Sequence, residues 1–330
     1  MNYFFSDIPQ FIPAATYHEA IARMVKRLLD SGKVKGVYQV GGITSPGISD
    51  IDLYVVFHDN EPFEINPVKE LDFPDNYLFT HRLFGTCEKN AVQLEQFTFF
   101  GKYNFLGGNP TPLVNYTANE TDTLVLKHQV ALEYLVKAWY SNAIGMTYGI
   151  VKLRNLLLHA KAILLDLDFL GLKETDLVKC IHEIMEVRKS WFDKPAGKAI
   201  LTALVKRYDT GLREAISQAT AAYGFFVPEH ANFRLSKRVY LAPSRELRLN
   251  REGFLFPAPA TRYSKKIYKI QDKMNRFTVE VPVSNQHIPT VLLNRHNVMQ
   301  EAFKYNSQYL PGFLCTGHAM NIFNSEHHDG

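Results

Sequence analysis

Two aspartates, Asp50 and Asp52, stand inside an otherwise apolar run, "VYQVGGITSPGISDIDLYVVF", Val37 to Phe57. An apolar run bounded by turn residues reads as a buried strand, and a carboxylate placed there is costly unless something pairs with it. Residues two apart on a strand point the same way, so this spacing presents both carboxylates together. That close, they repel each other unless a cation sits between them. Hard oxygen ligands favour Mg²⁺ or Mn²⁺, ions that keep some of their waters and bind substrate phosphates at the same time. Upstream, Gly41 and Gly42 allow the backbone to approach a ligand closely. Thr44, Ser45 and Ser49 add hydroxyls and backbone N–H groups that suit phosphate oxygens.

The surrounding elements must hold those groups in place. Thr16 to Gly32 reads as an amphipathic helix with Thr16 and Glu19 at capping-box spacing and an apolar stripe of Tyr17, Ile21, Met24, Val25, Leu28 and Leu29. A strand is expected at Val37–Val40 and a second at Asp50–Phe57, with Ile51, Leu53 and Val55 on one face and Asp50, Asp52, Tyr54 and Val56 on the other. A third strand is expected at Asn76–Gly85, and "AVQLEQFTFFGKYNFLGG" fits strand or helix. "GGNPTP", Gly107 to Pro112, looks like punctuation between domains.

From Asp122 the apolar period becomes helical: Leu124, Ala131, Leu132, Leu135 and Trp139, then Ile150, Leu153, Leu157, Ala160 and Leu164, then two further helical segments, a bundle of about four. Beyond Gly224 the chain turns Pro- and Arg-rich and mixed, with a strand-like "RFTVEVPV" and a short helix near Val298–Tyr305. The expected class is α/β in the α+β sense: a small mixed-sheet domain over 1–115, a helical bundle over 116–225 and a mixed region over 226–330 that packs on the bundle and forms an acceptor pocket.

Gly41-Gly42, seven residues, then Asp50-Ile51-Asp52-Leu53 resembles the signature of the DNA polymerase β-type nucleotidyltransferase superfamily. The spacer is short and contains Pro46, and the second position is Gly where Ser is commoner; the resemblance covers residues 15 to 110. It implies a Mg²⁺- or Mn²⁺-dependent enzyme that passes a nucleoside monophosphate from an NTP to a hydroxyl with loss of pyrophosphate, which is two-metal chemistry. By resemblance Asp50 and Asp52 are metal ligands, and Gly41, Gly42, Thr44, Ser45 and Ser49 form the triphosphate loop. The family's third carboxylate lies on a later strand, where "NYLFTHRLFG" has no acidic residue. Glu95 ranks first for that role because it alternates with apolar neighbours, and Asp75 second; His81 lies within the segment. A protein that binds NTP or regulates without turnover is the competing expectation.

Other residues also admit plainer roles. Lys152 and Arg154 are placed to reach a triphosphate from the second domain, whereas His159 and Lys161 read as a solvated helix face. "YSKKIYK", Tyr263 to Lys269, interleaves aromatics with lysines, a pattern shared by nucleic-acid surfaces and by ordinary exposed edges. His318 beside Cys315 lacks further ligands at zinc spacing, and His327-His328 reads as tail. A net charge of +4 suits phosphate-bearing partners but is too small to indicate nucleic acid. The expected partners are a nucleoside triphosphate and a small-molecule or protein acceptor. Three widely spaced cysteines argue for a reducing compartment, and without a leader pattern or an apolar run of spanning length the expectation is cytoplasmic, with no membrane partner.

Overall fold

Tyr17, Ala20, Ile21, Met24 and Leu28 recur at helical spacing and form the buried face of α1, Ala14–Leu29, in the computed structural model of the chain. It describes residues 3–59, 65–99, 102–113, 119–227, 233–236, 238–256 and 265–310. The fold is mixed α and β. Within the described residues the chain forms two compact units, one of residues 10–126 and 289–310, the other of residues 3–9 and 127–288. This replaces the expected divisions at 115 and 225. "GGNPTP" is no boundary, because Gly107 and Gly108 pair inside a sheet of the first unit.

That first unit is built on a four-stranded sheet of β2 (Val34–Val40), β3 (Asp52–Phe57), β4 (Phe84–Cys87) and β5 (Tyr103–Gly108), in the order β4-β3-β2-β5. β3 is antiparallel to β2 and parallel to β4. Alternation along β3 divides its side chains as expected. Leu53, Val55 and Phe57 join the core under α1, while Tyr54 and Val56 pack with Tyr38, Val40 and Phe84 on the opposite face. The expected strand at Asn76–Gly85 is instead the short helix α2 (Asp75–Leu78) followed by β4. The ambiguous segment after it contains both kinds of element: α3 (Glu88–Leu94), a single 3₁₀ turn (Glu95–Phe97) and β5.

The helix expected from Thr16 starts earlier. Its N-cap is Pro13 and no side chain caps it, so the Thr16/Glu19 capping box does not form. At the other end of the sequence α9 (Thr290–Tyr305), longer than the expected Val298–Tyr305, belongs to this unit. Leu310 follows it and bridges to Phe84 at the β4 edge. Gly85 is needed there, since an added Cβ would lie 2.7 Å from the Val55 carbonyl oxygen.

The second unit contains β1 (Phe4–Ser6) paired in parallel with β6 (Ile150–Lys152), and the expected helices α4 (Glu120–Thr147), α5 (Leu153–Phe169), α6 (Asp176–Ser190) and α7 (Lys198–Tyr223), the division between units falling near residue 126 of α4. Ala131, Leu132, Leu135 and Trp139 are buried as the helical period requires, but Leu124 is exposed. The chain then forms β7 (Phe233–Ser236), β8 (Val239–Ser244), β9 (Arg248–Glu252), α8 (Lys265–Met274) and β10 (Arg276–Pro282), a second sheet in the order β7-β8-β10-β9. No helix among the described residues is long and apolar enough to cross a membrane. Cys315, His318 and His327-His328 lie outside the described residues.

Candidate metal centre

The turn leading into β3 is held from both sides by tyrosines. Within it the Ile48 and Ser49 N–H groups both donate to the Ser45 carbonyl, and the Ser45 N–H donates to Ser49 Oγ at 3.1 Å. Tyr17 of α1 accepts from the Gly47 N–H at 2.8 Å and donates to the Ser49 carbonyl at 2.7 Å. Tyr77 of α2 donates to the Gly47 carbonyl at 2.6 Å. Gly41 opens the turn at φ +71° and Gly47 continues it at φ +83°, backbone conformations that favour glycine. Asp50 is therefore delivered by a closed loop tied to two helices.

A second segment docks beside it. The Ile51 N–H donates to the Leu78 carbonyl at 3.0 Å, and Tyr54 pairs with Phe84 as β3 and β4 come into parallel register. Thr80 and His81 are among the five residues between those two anchors. Thr80 Oγ1 donates to Asp50 Oδ2 at 2.7 Å, and His81 Nε2 lies 3.0 Å from Asp52 Oδ1. His81 Nδ1 is 2.7 Å from the Arg82 carbonyl, and the ring meets Phe84 edge-on at 5.2 Å.

Asp50, Asp52 and His81 each offer a ligand atom, and the three atoms lie within 4.8 Å of one another. Among the described residues they are the one such group of His, Cys, Asp and Glu. Two carboxylates and an imidazole suit a divalent cation, and the nitrogen donor shifts the set from Mg²⁺ towards Mn²⁺ and later first-row ions. The side chains of Asp52 and His81 keep 17% and 30% of their surface exposed, so an ion can reach them from solvent.

The electrostatics fit the same picture. Burial raises the Asp52 carboxyl above its ordinary range and the Asp50 charge adds to that, while His81 pulls it partly back. Burial alone would lower the His81 imidazole, but the Asp52 hydrogen bond and the charges of Asp52 and Asp50 outweigh it and raise the group.

The remaining expected residues are placed differently from one another. Gly42 and Thr44 are exposed on the loop, and an added Cβ at Gly42 would meet nothing within 4 Å. Ser49 is buried, with its hydroxyl turned into the loop towards the Ser45 N–H. Glu95 stands on the 3₁₀ turn and not on a strand; it is buried, accepts from the Tyr103 hydroxyl at 2.9 Å, and its Oε2 has no partner among the described residues. Burial pushes its carboxyl up to about 7, with Tyr103 opposing the shift. Tyr103 shares a cross-strand row with Val40 and Asp52, yet Glu95 does not join the Asp50–Asp52–His81 group.

Asp75 is engaged elsewhere, through Arg23 Nη2 at 2.6 Å and Nε at 3.2 Å. Lys152 and Arg154 belong to the other unit, where Lys152 pairs with Ser6 and is exposed, Arg154 is buried, and the Arg154 N–H donates to the Asp7 carbonyl. His159 is half-buried with Nδ1 3.4 Å from the Tyr134 hydroxyl, and Lys161 is solvated as expected. Sequence reasoning gave His81 no ligand role and did not single out Thr80. The available signal was polar Thr-His in an otherwise apolar stretch, and it was obscured by reading that stretch as one strand. No family model, curated protein or solved structure matches this chain.

Proposed function

We propose that the unit of residues 10–126 and 289–310 is a divalent-metal-dependent nucleotidyltransferase, transferring a nucleoside monophosphate from an NTP to a hydroxyl of a small molecule or a protein. The observation that carries this reading is the convergence of Asp50, Asp52 and His81 at the start of one strand, directly after a glycine-opened loop. A bound divalent ion would supply Lewis-acid stabilisation of the triphosphate and of the attacking oxygen.

The chain's own groups would do the rest. Asp50 and Asp52 would hold the ion, with Thr80 fixing the orientation of Asp50 and the Arg82 carbonyl fixing that of His81. The exposed loop edge at Gly42 and Thr44 would face the phosphates. In the reaction the acceptor oxygen would bond to the α-phosphorus, the bond to pyrophosphate would break, and the hydroxyl proton would pass to solvent water.

The competing reading, NTP binding without turnover, is favoured by one observation. Among the described residues no third carboxylate joins Asp50 and Asp52, the group being completed by His81. A thermal-shift screen of the four NTPs with Mg²⁺, Mn²⁺ or neither, followed by pyrophosphate detection against acceptor pools, separates the two. Metal-dependent stabilisation with pyrophosphate release supports transfer; stabilisation alone supports the binding protein. A melting temperature indifferent to metal and nucleotide overturns both.

A further inference from the structure

Outside the metal centre, the unit of residues 127–288 exposes apolar side chains beside a row of lysines. On α8, Lys266, Lys269, Ile270, Lys273 and Met274 are all exposed, and their spacing puts them on one helical face. Gln271 is buried inside, as is Asn275 just after the helix. The strand β9 ends at the tip of this face. Gly253, at φ +119°, passes so close that an added Cβ would lie 2.2 Å from the Met274 carbonyl oxygen. Asn275 Nδ2 then donates to the Phe254 carbonyl at 2.8 Å, and the Phe256 N–H donates to Gln271 Oε1 at 2.7 Å. These bonds fix Phe254 and Leu255 beside the end of the helix.

The outcome is an apolar strip of Phe254, Leu255, Ile270 and Met274, from 37% to 52% exposed, next to a basic strip of Lys266, Lys269 and Lys273. Among the described residues no carboxylate pairs with these lysines, and Asp272 on the same helix takes Arg238 at 3.1 Å. We infer that this face docks on an anionic phospholipid surface, with the apolar strip entering the headgroup boundary and the lysines meeting lipid phosphates. Charge complementarity selects the anionic surface. The character of the apolar strip favours lipid over nucleic acid, since Leu, Ile and Met insert between acyl chains, whereas single strands are gripped by stacking aromatics. The lack of a spanning helix has no bearing on a surface contact of this kind.

The test is co-sedimentation of the full chain with phosphatidylcholine vesicles, with and without phosphatidylglycerol. Binding is expected only when phosphatidylglycerol is present, and it should fall as salt rises. Lys269→Gln with Lys273→Gln should weaken partitioning by about thirtyfold, and Phe254→Ser with Met274→Ser should abolish sedimentation, each with an unchanged melting temperature. Equal binding to neutral vesicles, no binding to either, or wild-type binding by both double variants overturns the inference. So does tight binding of a uridine oligonucleotide that needs the lysines but not Phe254 and Met274.

Discussion

His81 lies between two oxygen acceptors, with Nδ1 2.7 Å from the Arg82 carbonyl and Nε2 3.0 Å from Asp52 Oδ1. A carbonyl can only accept, so Nδ1 carries the hydrogen and Nε2 faces the carboxylates. In the protonated ring Nε2 donates to Asp52, and once that proton leaves the same nitrogen presents a lone pair there, the orientation a metal ligand needs. His81→Ala is therefore expected to weaken Mn²⁺ binding more than Mg²⁺ binding, because an imidazole adds most to a first-row transition ion. Titrating both ions calorimetrically into wild type and variant checks this, and equal losses would remove His81 from the ligand set.

Thr80 acts on the centre through Asp50. Thr80→Val keeps the shape and removes the donor, and should cost about 10- to 100-fold in metal affinity. Asp50→Asn and Asp52→Asn should go further and erase the metal-induced rise in melting temperature while the circular dichroism spectrum stays unchanged. Persisting metal stabilisation in both would end the assignment.

The Tyr17 hydroxyl ties the loop to α1 through Gly47 and Ser49. Tyr17→Phe strands a buried N–H and a carbonyl, and should destabilise the protein by about 1–3 kcal/mol. Since Asp50 follows directly from this loop, metal affinity should fall with stability. Unfolding in urea, run beside metal titration, reads both; a stable variant with intact affinity would show that the clamp is not needed.

Glu95 allows a prediction with a worked sign. Its folded carboxyl sits at about 7 against an ordinary 4.5, so between those values the native state holds the proton more firmly than the unfolded chain does. Its contribution to stability is then full below about pH 4.5 and is lost as pH rises through about 7. Glu95→Gln should remove that slope and make the protein more stable than wild type at pH 8, by on the order of 3 kcal/mol if the whole shift is realised. Parallel unfolding curves across the range would contradict it.

Asp75, by contrast, should matter little. Arg23 keeps 52% and Asp75 17% of its side chain exposed, so the pair lies at a solvent edge and Asp75→Asn should cost about 1 kcal/mol. It should leave pyrophosphate release unchanged. A collapse in turnover at normal stability would return Asp75 to the list of reacting groups.

What could be read from sequence followed the strength of local pattern. Alternation along Asp52–Phe57 allocated its faces, and the helical period located α1 and the bundle, because burial enforces both. The segment around His81 was hidden because Tyr77, Leu78, Phe79 and Leu83 are apolar without a clean period, so helix and extended chain read alike there. The segment around Glu95 fits strand or helix in sequence because its apolar neighbours Leu94 and Phe97 are also what a buried 3₁₀ turn requires. The docking of α9 uses contacts far apart in sequence, such as the Tyr305 hydroxyl donating to the His58 carbonyl, which no local pattern encodes.

The bridge at Leu310 also bears on how the chain comes off the ribosome. β4 is an edge strand, and the Gly85 N–H and the Leu83 carbonyl are satisfied by Leu310 while Tyr309 packs against Phe57 at 4.9 Å. Until Tyr309 and Leu310 emerge, that edge is bare and open to pairing with another nascent copy. A shortened protein ending near residue 225 or 288 would keep both aspartates and lose the strip that covers this sheet edge, so it should self-associate more than the full chain does.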